Sequence, residues 1–141
     1  MGYTHYWTQQ RHFTDEEWTK ICARAYKVFK DAEADGVALS YECDEPERAP
    51  LVDEEMIRFN GAGDEEGYET FILSKRAVPS FQAQTQGKVD VFNFCKTEHR
   101  PYDKAVVSIL AIVKKIAPTA CHVSSDGGNG AIRMFYGKLR G

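Results

Sequence analysis

Residues 14–36 carry the strongest set of helix signals in the chain. Thr14 is a good N-cap, and Glu17 completes a capping box three residues later. Phe13 and Trp18 occupy the two positions of a hydrophobic staple, and Gly36 supplies a C-terminal stop. A single apolar stripe is built from residues at three- and four-residue spacing, namely Trp18, Ile21, Cys22, Ala25, Val28, Phe29 and Ala32. The segment therefore predicts one long amphipathic helix, whose apolar side needs a second layer to cover it.

A second helix is predicted between Pro101 and Pro118. Pro101 suits a first helical turn, Asp103 complements the helix dipole there, and Pro118 ends the helix. Residues 105–116 are apolar on most sides. We therefore expect a central helix that packs on the sheet and touches the first helix.

The remaining elements are predicted as short strands, because apolar residues alternate between turn-forming segments. Residues 76–87 are expected to form a polar loop. The strand candidates are residues 2–8, 37–42, 56–60, 68–74, 89–95, 119–125 and 132–136. This order predicts a single α+β domain over residues 1–141, with a mostly antiparallel β-sheet and two α-helices packed on one face.

Composition excludes several broad classes. With 141 residues, 43% of them hydrophobic and 28% charged, the chain has the make-up of a globular domain rather than a disordered or fibrous one. No apolar run approaches the roughly 18 residues that a membrane span needs, and no basic-then-apolar leader opens the chain. We therefore expect a soluble, cytoplasmic protein without a membrane partner.

Charge is unevenly distributed along the chain. The net charge of −3 argues against a generic nucleic-acid binder. Residues 42–69 hold eleven acidic and two basic residues, a net of −9, whereas the other residues hold sixteen basic and ten acidic residues, a net of +6. This pattern fits either solvated acidic loops or a dipolar surface with a basic side that recruits an anion.

The cysteines indicate neither a metal site nor a disulfide framework. Cys22, Cys43, Cys95 and Cys121 are far apart in the sequence, and no C-x-x-C pair is present. We expect four reduced, mostly buried thiols, no metal and no cofactor.

The densest cluster of functional groups is FCKTEHRPYD, residues 94–103, at a predicted strand-to-helix junction. A helix N-terminus with basic and hydroxyl side chains nearby suits a phosphate or a carboxylate. The alternative is local pairing and core packing of the same side chains. The candidates in this cluster are Lys96, Thr97, Arg100, Tyr102 and Asp103.

A second cluster, HVSSDGGNG, covers residues 122–130. Its glycines permit a tight loop with exposed backbone N–H groups, and Ser124, Ser125 and Asp126 offer polar ends that suit a phosphate. No Walker loop is present. Because Asp-Gly and Asn-Gly are strong hairpin dipeptides, a plain β-turn is the alternative.

The N-terminal strand is unusually aromatic. Tyr3, His5 and Trp7 are expected to share one face, and Tyr6 lies on the other. Such a strand suits a stacking platform for a base or a sugar, with core packing as the alternative. One of its faces should be exposed unless something covers it.

Two H-x-[ST] motifs, at residues 12–14 and 122–124, resemble those of the two-histidine phosphoesterases. Thr14 is better explained as a helix cap, which weakens the first motif. No nucleophile elbow, H-E-x-x-H or paired-carboxylate pattern appears.

Several segments together carry a resemblance: GYTHYW at the start, FNG at 59–61, ETF at 69–71, FCKT and RPYD within 94–103, and VSSDG at 123–127. With them the chain resembles an uncharacterised family of small phage and bacterial proteins that open with GYTHYW. The resemblance implies a phage or prophage setting, in which accessory proteins often manipulate the host or counter its defences. It implies no specific activity.

These observations predict a protein that binds a small anionic ligand, such as a nucleotide or a nucleotide-derived signal, without catalysis. We expect the N-terminal strand, the junction and the 124–128 turn to converge at one sheet edge, where His5 or Trp7 contacts a base. The predicted ligand-binding residues are His5, Trp7, Lys96, Thr97, Arg100, Tyr102, Asp103, Ser124, Ser125 and Asp126.

Two alternatives stay open. One is a phosphodiesterase-like enzyme that uses His122 with Ser124 and Asp126, or a catalytic site built on His5 with Asp126. The other is a protein-directed inhibitor whose acidic residues 42–69 bind a basic surface of a host factor.

Overall fold

The part of the chain that the structure describes folds into two antiparallel β-sheets, two long helices and one short helix. This computed structural model describes residues 3–79, 81–85, 87 and 90–126, and the predicted strand at residues 132–136 lies outside them. The α+β class is confirmed. The elements are β1 (Thr4–Gln9), α1 (Asp15–Ala34), β2 (Leu39–Ser40), β3 (Leu51–Val52), β4 (Met56–Gly61), β5 (Phe71–Ser74), α2 (Phe81–Thr85), β6 (Val91–Lys96), α3 (Asp103–Ile116) and β7 (Cys121–Ser125).

Helix α1 begins at the predicted capping box. The backbone N–H of Glu17 donates to Thr14 Oγ1 over 3.1 Å, and the N–H of Thr14 donates to Glu17 Oε1 over 2.9 Å. Both Arg11 Nη atoms donate to the same carboxylate, and this hydrogen bonding lowers the pKa of Glu17 to about 2. The rings of Phe13 and Trp18 lie 5.7 Å apart, as the predicted staple requires.

The first sheet has three strands in the order β6-β1-β7. β1 is antiparallel to both neighbours, so β6 and β7 run parallel to each other on either side of it. Helix α3 connects β6 to β7, which makes this region a split β-α-β unit. Burial alternates along β1, because successive side chains of a strand point to opposite sides.

The second sheet is built around β4, which pairs with β2, β3 and β5. The predicted hairpin is present: Ile57 lies opposite Leu73, and Phe59 lies opposite Phe71. Its connection needs glycine, since a Cβ at Gly61 would overlap the carbonyl oxygen of Glu66. The strands that we predicted in one sheet are thus divided between two.

Aromatic rings link the two sheets within one core. Trp7 of β1 lies 5.0 Å from Phe71 of β5, measured between ring centroids. Phe71 lies 5.2 Å from Phe59, which in turn lies 5.1 Å from Phe29 of α1. Helix α3 packs against α1 and presents buried residues on most of its surface, as its apolar sequence predicts. Among the helices of the described residues, none is long and apolar enough to cross a membrane.

The helix cap gives a direct test of this fold. Replacing Thr14 with Ala removes the acceptor for the Glu17 N–H, and we expect the free energy of unfolding to fall by about 1 kcal/mol in urea titrations. Thr19→Ala is the matched control: its hydroxyl donates only to the Asp15 carbonyl of the same helix, so stability should change by less than about 0.5 kcal/mol. Equal effects of the two substitutions would contradict the capping role.

Candidate functional site

A chain of buried and half-buried polar side chains joins the ends of four elements. His5 Nδ1 lies 2.6 Å from Ser125 Oγ at the end of β7, and His5 Nε2 lies 2.7 Å from Asp103 Oδ1 at the start of α3. The Thr97 hydroxyl, one residue after β6, donates to the same Asp103 oxygen over 2.5 Å. The structure therefore brings together His5, Thr97, Asp103 and Ser125, four of the ten predicted site residues. We call this set the His5 network.

The His5 network is internally complete. A neutral imidazole satisfies both contacts when Nε2–H donates to Asp103 and Nδ1 accepts from the Ser125 hydroxyl. Burial by itself would raise the pKa of Asp103, but the hydrogen bonds from His5 and Thr97 outweigh it and lower that pKa below its ordinary value. Asp103 is therefore a carboxylate at neutral pH.

The inward positions of β1 are closed to ligands. His5 is 0% exposed and Trp7 is 2% exposed, and the Trp7 ring packs on Phe71. The predicted contact of His5 or Trp7 with a base finds no exposed surface in the structure, because β1 turns both side chains into the interior. Ser125, at 8% exposed, is likewise part of the interior. The Ser125, His5 and Asp103 side chains have the composition of a hydrolytic triad, but the buried serine lacks the open access that a substrate needs.

Tyr102 also belongs to the interior rather than to an open site. It is fully buried, and its hydroxyl donates to the Glu69 carbonyl over 2.6 Å. Burial raises the pKa of Tyr102 far above its ordinary value. The side chain ties the start of α3 to the chain just before β5, so the packing alternative weighed from the sequence describes it better than ligand contact does.

The two predicted cations contact different groups. Lys96 ends β6, opposite Thr4, and its Nζ lies 3.2 Å from Glu98 Oε1. The hydrogen bond to Glu98 raises the pKa of Lys96. Arg100 instead donates from Nη1 to the Glu65 carbonyl in the glycine-rich connection. Lys96 therefore belongs to the outer side of the three-stranded sheet, and Arg100 contacts the acidic loop.

The outer side of the three-stranded sheet exposes aromatic rings. In one row Phe94 of β6, Tyr6 of β1 and Ser124 of β7 lie opposite one another. The next row holds Phe92, Thr8 and His122. Phe92 and Phe94 are 61% and 57% exposed. We call this surface the aromatic face; it consists of Thr4, Tyr6, Thr8, Phe92, Phe94, Lys96, His122 and Ser124.

Asp126 holds Tyr6 in place at the edge of the aromatic face. Its Oδ1 accepts from the Tyr6 hydroxyl over 3.0 Å, and its Oδ2 accepts from the backbone N–H of Thr4, also over 3.0 Å. The hydrogen bond to Asp126 raises the pKa of Tyr6, so the phenol stays protonated at neutral pH. Three predicted site residues, Lys96, Ser124 and Asp126, thus lie on or beside this face.

The phosphodiesterase alternative gains little from this arrangement. Both oxygens of Asp126 are engaged by β1, and no described contact joins Asp126 to His122. His12 lies in the segment before α1, where its Nδ1 accepts from the Ala77 N–H. The two H-x-[ST] motifs therefore do not lie on paired strands.

The exposed rings of Phe92 and Phe94 were not among the predicted site residues. The sequence predicted a strand over residues 89–95 without assigning its faces. The available signal was alternation: Phe92 and Phe94 share one side of β6, while Cys95 lies on the other and is buried. Because a buried Cys95 fixes the inward side, the two phenylalanines must point outward.

Other clusters in the described residues offer less. The carboxylates of Glu42, Asp44 and Glu45 lie within 4.8 Å of one another, but Arg58 pairs with Glu42 and Arg48 with Glu45. The four cysteines are free, and burial raises the pKa of Cys95 and Cys121 to about 12, so these thiols are unreactive.

A cleft of about 470 Å³ lies away from the predicted site residues. Arg11, His12, Ala77 and Gln84 are among the residues that line it, and none of the ten predicted ligand-binding residues is. Arg11 is already engaged by Glu17 and Thr119. Among the described residues that line the cleft, Arg11 is therefore already paired rather than open to an anion.

Comparisons with protein-family models, with curated proteins and with solved structures returned no match for this chain. The function of this chain is therefore inferred from the site and its chemistry.

The His5 network predicts a specific acid sensitivity. The Asp103 carboxylate has a lower pKa in the folded chain than in the unfolded one, so its stabilisation is present above about pH 4 and is lost as the pH falls further. Asp103→Asn should lower the free energy of unfolding by about 2 kcal/mol at pH 7 and should weaken the loss of stability between pH 5 and pH 3.

Urea unfolding at several pH values measures both effects. Asp64→Asn, an exposed position in the glycine-rich connection, is the matched control and should change stability by less than about 0.5 kcal/mol. An Asp103→Asn variant as stable as the parent at pH 7 would show that the His5 network does not hold these elements together.

Proposed function

We propose that this chain binds a nucleotide, or a related small anionic ligand with an aromatic ring, on the aromatic face, without catalysis. The observation that carries the proposal is the pair of exposed rings, Phe92 and Phe94, beside Tyr6 on a sheet backed by helices. Bases stack on such rings with about 1–3 kcal/mol per base. The rings sit on strands, so they are already positioned before a ligand arrives.

The exposed rings are costly unless something covers them. Burying apolar surface is worth about 25 cal/mol per Å², and contiguous exposed apolar patches commonly mark binding sites. Phe92 lies 6.2 Å from Phe94 and 6.0 Å from Tyr6, measured between ring centroids, so the three form one continuous patch. A flat heterocycle is a partner whose shape matches this surface.

Polar groups around the rings supply the rest of the recognition. Lys96 follows Phe94 by two residues on the same side of β6, about 7 Å along the strand, which suits a phosphate attached to a base on Phe94. Its pairing with Glu98 is partly exposed, so solvent weakens it and a phosphate can compete. Ser124, beside Tyr6, offers a hydroxyl donor.

The proposal keeps part of the sequence-based site and moves another part. Lys96 and Ser124 keep their predicted roles toward phosphate and hydrogen bonding. We assign the stacking of the base to the outward rings of Phe92, Phe94 and Tyr6 instead of to His5 and Trp7. Thr97, Tyr102, Asp103 and Ser125 support the strand and helix ends from the inside, and Arg100 is a second cation near the same junction.

The setting implied by the GYTHYW resemblance is carried into this proposal. A phage-encoded accessory protein that captures a nucleotide or a nucleotide-derived signal would act in the cytoplasm of the host cell. Sequestering such a signal would fit a host-takeover or anti-defence role.

Titration calorimetry with AMP, GMP, CMP and UMP tests the proposal. Phe94→Ala should weaken the binding of the best of these probes by about tenfold or more, since it removes a stacking platform. Phe81→Ala is the matched control, because Phe81 is 82% exposed on α2, outside the three-stranded sheet, and its loss should leave affinity unchanged. Lys96→Gln should weaken binding and reduce its salt dependence.

The same assays separate the alternatives. Hydrolysis of the phosphodiester bonds of cyclic di-AMP, with release of pApA or AMP and abolished by His122→Ala, would replace binding with phosphodiesterase activity. Failure of all four mononucleotides and of cyclic di-AMP to bind would overturn the proposal. A host protein released by neutralising the acids at residues 44–55, but not by Phe94→Ala, would establish the inhibitor alternative instead.

A further inference from the structure

We infer that the ligand of the aromatic face carries two bases joined by a phosphodiester, that is, a dinucleotide, linear or cyclic. The inference rests on the proposed function and narrows it from nucleotides in general to one class. Its grounds are the arrangement of the three rings and the small number of cations around them.

The aromatic face offers two stacking planes rather than one. The planes of Tyr6 and Phe92 differ by 23°, with 6.0 Å between the ring centroids, so these two rings stack on each other as one pair. The planes of Phe92 and Phe94 differ by 34°, with 6.2 Å between the centroids. A rigid base that lies flat on Phe94 is therefore tilted away from Phe92. A second base is needed to cover the Tyr6 and Phe92 pair.

A mononucleotide would leave part of this patch exposed. Phe92 is 61% exposed in the free protein. A mononucleotide whose base stacks on Phe94, with its phosphate toward Lys96, would not cover that ring. A second base linked to the first would cover Phe92 and would reach the row that holds Thr8 and His122. These two residues can hydrogen-bond to its edge.

Charge limits how long the ligand is. Lys96 is the only Lys or Arg among the residues that make up the aromatic face, and it is already paired with Glu98. Asp126 places a negative charge beside Tyr6 and Thr4. A long single strand needs a basic groove that follows its backbone, and the described face has none. A ligand with one or two phosphates fits this charge pattern.

Affinity measurements along a length series test the inference. The probes are AMP, the linear dinucleotide pApA, cyclic di-AMP and a ten-residue deoxyadenosine strand, with the matching guanine series. We expect the best dinucleotide to bind about tenfold or more tighter than its mononucleotide. The ten-residue strand should bind more tightly than the dinucleotide only by the statistical factor that comes from its several overlapping dinucleotide units. Comparing the affinities of pApA and cyclic di-AMP shows whether the face prefers a linear or a cyclic dinucleotide.

Substitutions assign the two planes. Phe92→Ala should remove the advantage of the dinucleotide while AMP affinity stays within about twofold, whereas Phe94→Ala should weaken both ligands. Phe92→Leu keeps an apolar side chain without the ring and should lose the same advantage, which guards against a folding artefact. Phe81→Ala again serves as the unaffected control.

Each outcome decides between the claims. Equal affinity for AMP and both dinucleotides would overturn this inference and leave the proposed function intact. Binding that strengthens mainly with strand length and falls steeply with salt would overturn it in favour of single-stranded nucleic acid. Failure of every probe would remove the proposed function itself.

Discussion

The buried imidazole of His5 is the contact on which the three-stranded sheet depends. It lies in the central strand and reaches β7 through Ser125 and α3 through Asp103, while Thr97 adds the end of β6. A buried polar group without partners costs several kcal/mol, so the fold holds only when these ends meet at one level. The alignment of all three strands follows from that requirement.

The aromatic face depends on the same strand orientation as the His5 network. Because β1 alternates, turning His5 and Trp7 inward turns Tyr6 and Thr8 outward. A slip of one residue would expose the imidazole and bury the tyrosine, so the polar network and the stacking surface specify each other. The proposed site is therefore maintained by residues that no ligand would touch.

Local signals made part of this structure predictable. The cap of α1 depends on Thr14 and Glu17 alone, and the β4–β5 hairpin depends on alternation across a short connection. The sequence clusters also predicted that the N-terminal strand, the junction and the 124–128 turn meet. The His5 network joins the strand and the junction to Ser125, while residues 127–128 of that turn lie outside the described residues. Alternation places Phe92 and Phe94 on the same side of β6, but which side is exposed depends on packing between distant segments. The division into two sheets depends on the same distant packing, so neither feature followed from the local pattern alone. Helix α2 arose in a stretch without periodicity.

The topology of the first sheet has a consequence for how the chain reaches its native state. β1 leaves the ribosome well before its two neighbours, β6 and β7, and His5 and Ser125 are separated by 120 positions. Pairings between such distant segments form late, because the entropy cost of closing a long loop comes before any stabilising contact is made. Until then the aromatic β1 strand is unpaired in the nascent chain, which makes it the segment most in need of protection from aggregation during synthesis.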